Sequence, residues 1–351
     1  MSRAVAVAAA LALAVLAGGC GHNDSVIIHG GQVPGQTLTV YSLLPRTGPD
    51  AAAARDAVLG EKLALEQAHG VVGRLTINYV ALDLPATGGT DALANTVRDA
   101  VSDPSIAAVI GDLSSDTARV TAPLLNAVGI LHVSPGATSD ALTSAPRYVP
   151  SGRRTFVPLL AGDGSQAAAL ARAAGGRPGG VAVEATAGTP ERALAAEVRR
   201  RLGRTVDTAH AGTVIVLARD PQDAFGVVDS VLRENRRANV ILPQALWASN
   251  LPDRLKTRPR VSFLTSTGPA TPALDMAFQR TFGTAPGPYG QVGYDAMRTV
   301  LAAIRRAGAR AATRDQLIKA YLADPAAGAA RRPWRLARRA GGGTLYEPVR
   351  R

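Results

Sequence analysis

One cysteine, Cys20, stands in 351 residues. A disulfide framework within the chain is therefore excluded, because bridges need pairs. Aromatic residues make up 4% of the sequence, too few for the stacking platforms that hold single-stranded nucleic acid. Lysine is almost absent, with only Lys62, Lys256 and Lys319. The net charge of +12 rests on arginines scattered along the chain, with clusters only at "RRRLGR" (199–204) and in the tail. It reads as a solvated basic surface, and no nucleic-acid partner is expected. The five histidines, His22, His29, His69, His132 and His210, have no partner at metal-ligand spacing. His132 lies inside an apolar run, where a core or strand-edge role is expected of it. No G-x-S-x-G, H-E-x-x-H or Walker-type glycine loop occurs. No catalytic residue, metal or cofactor is expected, and the chain is not expected to be an enzyme.

What is present begins at the N-terminus. Arg3 precedes "AVAVAAALALAVLAGGC", a positive start and a short apolar core of the kind a secretory signal peptide needs. Cys20 follows Ala17, Gly18 and Gly19, and "LAGGC" resembles the lipobox of bacterial lipoproteins. That resemblance implies a signal peptide over 1–19 and a diacylated Cys20 tethering the chain to a membrane without spanning it. The stretch "GHNDSVIIHGGQVPGQ" is polar and glycine-rich, a linker's composition. Residues 20–36 are expected to be anchor and linker.

The rest of the chain alternates in period. "TLTVYSLL" alternates as a strand, "DAAAARDAVLGEKLALEQAHG" has apolar residues at helical spacing, and "RLTINYVALD" alternates again. "TDALANTVRDAVSD" reads as a second helix, and "IAAVIG" is a continuous apolar run, the mark of a strand buried on both faces. This order predicts parallel strands in a doubly wound α/β layer. After "RYVPSGRRTFVP" the rhythm restarts with "GDGSQAAALARAAG", "GGVAVEA", "TPERALAAEVRRRLG" and "GTVIVLA", so a second lobe is expected. The tail "RRPWRLARRAGGGTLYEPVRR" predicts a hairpin around Gly341 to Gly343.

Two hydroxyl clusters stand out. "VIGDLSSDTARV" and "GILHVSPGATSDAL" each empty an apolar run into serines and threonines. Doubly wound sheets bind ligands outside the carboxyl ends of their strands, where loops lead into helix N-termini. Unpaired N–H groups and the partial positive charge there suit a carboxylate. Ser114, Ser115 and Thr138 are candidate donors. The alternative is that Ser115 and Ser139 only cap helices. Pro123, inside the helix after Ser115, predicts a kink near Thr121.

The run "SIAAVIGDLSSDTARVTAPLLNAVGILHVSPGATSDALT" (105–143) resembles the signature of type I periplasmic solute-binding proteins, in the group that serves importers of leucine, isoleucine and valine. "LLPRTGP", "LGEKLALEQAHGVVGRLTINYVALD" and "YGQVGYDAMRTVLAAIRRAG" agree with that family in order. The resemblance implies two doubly wound α/β lobes joined by a three-crossover hinge. Lobe 1 is expected over 37–150, completed by about 265–310, and a shortened lobe 2 over 151–264, completed by 311–351. It further implies that Ser115, Gly136, Ala137 and Thr138 hold a ligand carboxylate, with Leu113 and Ser114 in the same loop, and Tyr41 and Trp247 beside the ligand. The loop "LPQALWASN" departs from the family by lacking the acid that would meet an ammonium. The function implied is an extracytoplasmic, lipid-anchored binding protein of an ABC importer, with a small amino acid or carboxylate as ligand and a permease as partner. A ligand-sensing or protein-interaction lipoprotein on the same fold is the alternative.

Overall fold

Residues 37–44 form a central strand because both of their faces are needed. In β1 (Thr37–Leu44), Leu38, Val40 and Leu44 enter one core, and Tyr41 and Leu43 enter another on the opposite face of the sheet. The computed structural model describes Val33 and residues 35–85, 89–247, 249–324, 334–340 and 343–349. The expected signal peptide and Cys20 lie outside the described residues.

Around β1 the chain lays down α1 (Ala51–Gln67), β2 (Val71–Val72), β3 (Leu75–Asp83), α2 (Gly89–Val101), β4 (Ile106–Ile110), α3 (Ser115–Ala127), β5 (Leu131–Ser134), α4 (Ala141–Ser144) and β6 (Phe156–Pro158). The strands form one sheet in the order β2-β3-β1-β4-β5-β6, parallel except for β2. The second lobe follows with α5 (Asp163–Gly175), β7 (Gly180–Ala185), α6 (Thr189–Leu202), β8 (Ala211–Leu217), α7 (Pro221–Glu234), β9 (Asn239–Leu242), α8 (Leu251–Arg254) and β10 (Val261–Thr265). The chain then returns to the first lobe as α9 (Pro272–Phe282), α10 (Gly290–Ala307) and α11 (Arg314–Leu322). It ends in the second lobe as the hairpin β11 (Arg335–Ala340) and β12 (Gly343–Pro348), whose strands are antiparallel to each other, with β11 also antiparallel to β10.

Each sheet is covered on both faces. In lobe 1, residues of α1, α10 and α11 pack with Leu38 and Val40, while Leu93, Val97 and Leu125 from α2 and α3 cover Tyr41 and Leu43. The α1–α10 contact is unusually close. A Cβ on Gly293 would lie 2.1 Å from the Ala57 carbonyl oxygen, so only glycine lets the two backbones meet there. In lobe 2, α7 and α8 cover one face and α5 and α6 the other.

The lobe boundaries fall later than the sequence placed them. β6 pairs with β5 through Val133 and Val157, so lobe 1 passes residue 150. Its three residues are too few for alternation to reveal a strand. Tyr321 and Ile318 of α11 join the lobe 1 core, so the return to lobe 1 runs past 310. The lobes are thus joined by three crossovers, 159–162, 266–271 and 323–334. Trp334 Nε1 donates to Ser165 Oγ at 3.0 Å, tying the third crossover to the helix that follows the first. The expected kink at Thr121 does not interrupt α3, which runs as one helix through Pro123.

Candidate ligand-binding cleft

The carboxyl ends of β4 and β5 in lobe 1 face those of β7, β8 and β9 in lobe 2 across a cleft of about 130 Å³. Lobe 1 lines it with Leu113, Ser114, Ser115, Asp116, Gly136 and Thr138. These belong to the loops after β4 and β5, where the two hydroxyl clusters pointed.

Hydrogen bonds fix these loops to each other. Ser134 Oγ donates to the Asp112 carbonyl at 2.7 Å and accepts from Ala137 N–H at 2.9 Å. Gly136 N–H donates to the same carbonyl at 3.2 Å. Gly136 backs directly onto Leu113, whose carbonyl oxygen lies 2.4 Å from where a Cβ would stand. Beneath them the buried Asp112 accepts from Thr121 Oγ1 at 2.5 Å, with His132 Nε2 3.3 Å away. His132 is a core residue, edge-on to Phe156, and no group of His, Cys, Asp and Glu among the described residues is arranged to hold a metal.

The hydroxyls differ in role. Ser114 is the cap of α3, its Oγ accepting from Thr117 N–H at 3.2 Å. Ser115 is not a cap. Its Oγ accepts from the N–H groups of Thr138 and Ser139 at 3.0 Å each. A serine hydroxyl has one proton and two lone pairs, so with both acceptor positions used Ser115 retains its proton for donation. Thr138 is the reverse. Its Oγ1 donates to Asp163 Oδ1 at 2.6 Å, and a carboxylate can only accept, so Thr138 Oγ1 has lone pairs left and no proton. The N–H groups of Ser115 and Asp116, first in α3, have no upstream carbonyl to bond.

Three expected contacts are corrected. Tyr41 is buried on the α2–α3 face, and its hydroxyl donates to Asp103 Oδ2 at 3.1 Å. Asp103 precedes β4, so the tyrosine points to the end of the sheet opposite the cleft. Trp247 does not line the cleft: it is buried in lobe 2 with its ring 5.5 Å from Phe263 and 6.2 Å from Tyr346. The residues of that loop that do reach the cleft are Pro243, Gln244 and Ala245. Ala137 is buried behind its loop with Ala118 and Phe156, and contributes packing.

Sequence reasoning missed the acids. The 242–250 loop has none, yet Asp50, Asp116, Asp163 and Glu191 all line the cleft. Asp163 and Glu191 stand in the first turns of α5 and α6, where acids normally complement the helix dipole, so nothing in their spacing marked them. Burial raises the Asp163 carboxyl above its ordinary range, against the opposing bond from Thr138. Gln244 is buried, its Oε1 accepting from Ser266 N–H and Oγ at 2.6 Å each. Arg219, at the end of β8, crosses the cleft to Asp116 Oδ2 at 2.6 Å and Asp50 Oδ2 at 3.2 Å. Arg119 also pairs with Asp116. Asp220 caps α7 and takes no part.

The periplasmic binding protein family model matches residues 37–218, more than half of the chain. The chain belongs to the periplasmic binding protein family. No curated protein matches it. Among solved structures it is similar to a leucine-binding protein from Thermotoga maritima, at 17% identity and TM-score 0.72, over 88% of this chain and 97% of the other. It is similar to the branched-chain amino acid binding protein of Streptococcus pneumoniae in complex with isoleucine, at 14% identity and TM-score 0.74, over 89% and 99%. A third is an ABC-transporter solute-binding protein from R. palustris in complex with benzoate, at 16% identity and TM-score 0.73, over 89% and 96%. At these identities the likeness establishes the two-lobed type I periplasmic binding protein fold. Among the described residues of this family member, no helix is long and apolar enough to cross a membrane.

Proposed function

We propose that this periplasmic binding protein is the lipid-anchored, extracytoplasmic receptor of an ABC importer and that it captures a small zwitterion, an amino acid, between its lobes. The observation that carries the reading is the opposed polarity of two neighbouring hydroxyls. Ser115 Oγ and the first N–H groups of α3 offer protons, which suit a carboxylate. Thr138 Oγ1 and Asp163 offer only lone pairs, which suit an ammonium. Thr138 therefore takes the ammonium side and leaves the carboxylate to Ser115. Asp163 and Glu191 supply the negative charge that the 242–250 loop lacks. An ammonium enclosed without such a partner would be costly.

The test is a thermal-shift screen of the chain from residue 21 onward against amino acids, the matching deaminated acids and the matching amines. A ligand at a hundred times its dissociation constant adds roughly 2.7 kcal/mol of stability. Amino acids should shift the transition and both truncated series should shift it less. A uniform absence of shifts would transfer the assignment to a sensing or protein-interaction lipoprotein, the reading favoured by the acid-free 242–250 loop. Cys20→Ser should release the protein from the membrane fraction, and continued attachment would remove the lipid anchor from the proposal.

A further inference from the structure

The arginines that look scattered in sequence are gathered by the topology. The described residues of lobe 2 carry 18 Lys and Arg against 12 Asp and Glu. Lobe 1 (37–160 and 268–322) carries 16 against 14. Strands β7 to β10 are parallel, so the segments that precede them meet at one end of the sheet, opposite the cleft. The segments before β8, β9 and β10, residues 197–207, 229–237 and 256–260, hold ten Lys and Arg against four Asp and Glu. In lobe 1 the segments at the corresponding end, 66–74, 99–105 and 147–155, hold four against three.

The acids of this pole do not neutralise it. Glu197 pairs with Arg200 and Arg201, Asp229 with Arg233 and Arg258, and Asp207 with His210. Arg204, Arg236, Arg237, Lys256 and Arg260 are exposed and have no carboxylate partner among the described residues. Five such cations gathered at one end of the sheet make a surface for an anionic plane.

We infer that the cleft-distal pole of lobe 2 rests on the anionic headgroup surface of a phospholipid bilayer. Two considerations favour a bilayer over a nucleic acid. The chain belongs to a periplasmic family, and the pole segments contain no aromatic residue to stack on bases. The charge is also of the right order, since each Lys or Arg near an anionic membrane contributes a severalfold increase in partitioning. The contact does not depend on the lipid anchor expected at Cys20.

The experiment is co-sedimentation of the chain from residue 21, which keeps every described residue, with vesicles of phosphatidylglycerol and phosphatidylcholine in equal parts and of phosphatidylcholine alone. Binding should appear only with phosphatidylglycerol and vanish near 1 M salt, where the Debye length is about 3 Å. Replacing Arg204, Arg236, Arg237 and Arg260 together by Gln should lower partitioning by several hundredfold, on the order of a thousandfold at most. Replacing Arg74, Arg280, Arg305 and Arg310 of lobe 1 together by Gln removes the same net charge and should lower it less than about tenfold. All eight side chains are exposed, and thermal melting of both variants checks that the fold is kept. Equal losses in the two variants would reduce the effect to net charge and overturn the assignment. So would an absence of binding to phosphatidylglycerol, or tight binding to duplex DNA without binding to vesicles.

Discussion

The two walls of the cleft are built differently. In lobe 1 the loops after β4 and β5 are bonded to each other at Ser115, Ser134 and Gly136, so their donors are aimed before a ligand arrives. In lobe 2 the polar wall is spread over separate elements, Asp163 and Glu191 in the first turns of α5 and α6 and Arg219 after β8, with Gln244 bonded back toward Ser266 in the second crossover. A preformed wall can discriminate, because no free energy is spent on ordering it. A wall of single long side chains mainly meets what the other has already oriented. On the proposed reading, lobe 1 meets the carboxylate, while lobe 2 brings the acids for the ammonium and the arginine that spans the cleft.

The comparison breaks most severely at Gly136. Its backbone touches Leu113, so Gly136→Ala must push the two loops apart. Overpacking of this kind costs about 1–3 kcal/mol, and it also misaligns Ser115 against Thr138. Ligand binding should become undetectable by calorimetry while circular dichroism stays that of the folded protein. Retained affinity would mean that the loops are not a rigid pair. Ser115→Ala is the next largest change. It removes a donor to a charged group, worth about 1.5–3 kcal/mol, so affinity should fall tenfold or more. Thr138→Val should instead weaken amino acids while sparing the deaminated acids, and equal loss in both series would cancel the division of roles between the two hydroxyls.

The fold was legible where periodicity is long. β1, β3, α1, α10 and the tail hairpin follow from alternation, helical spacing and the glycines at 341–343. Short elements such as β6 were not, because three residues cannot show a period. In the site, the lobe 1 loops were legible because their hydroxyls are concentrated in sequence. Tyr41 and Trp247 misled because sequence position near a strand end does not say which way a ring turns. Tyr41 is turned by its bond to Asp103 and Trp247 by Phe263 and Tyr346. Asp163 and Glu191 were invisible for the opposite reason. They are ordinary first-turn acids that only the packing of one lobe against the other brings beside the hydroxyl loops.

The lobes also differ in their cores. Lobe 1 buries Glu61, Asp112, His132 and Arg314, whereas no Asp, Glu, His, Lys or Arg among the described residues of lobe 2 is buried to that degree. Glu61 accepts from Tyr79 at 2.8 Å, and burial pushes its carboxyl up to about 8 from 4.5. The folded state therefore keeps a proton that the unfolded chain gives up. Stability is full below pH 4.5 and is lost as pH rises to about 8, with a limiting slope of about 1.4 kcal/mol per pH unit. Glu61→Gln should flatten that slope, raising Tm relative to the parent at pH 8 and leaving little difference at pH 4. Melts that remain parallel across this range would show that Glu61 is ionised in the fold.

The smallest effect expected is at Arg219, and it sharpens the division most. Its guanidinium joins lobe 2 to Asp116 and Asp50 of lobe 1, and the side chain is about one-third exposed. Pairs this open to solvent contribute about 0.2–1 kcal/mol. Arg219→Ala should therefore weaken the ligand only about two- to fivefold, mostly by speeding release, because the lobe 1 contacts that orient the ligand are untouched. The parent's affinity should fall with added salt more steeply than the variant's, since the cross-cleft pairs are screened. Order-of-magnitude loss in the variant, with an unchanged salt response, would place Arg219 against the ligand itself and make lobe 2 a partner in recognition. A small loss with a flattened salt response leaves it as the clasp of a cleft whose ligand is chosen by other groups.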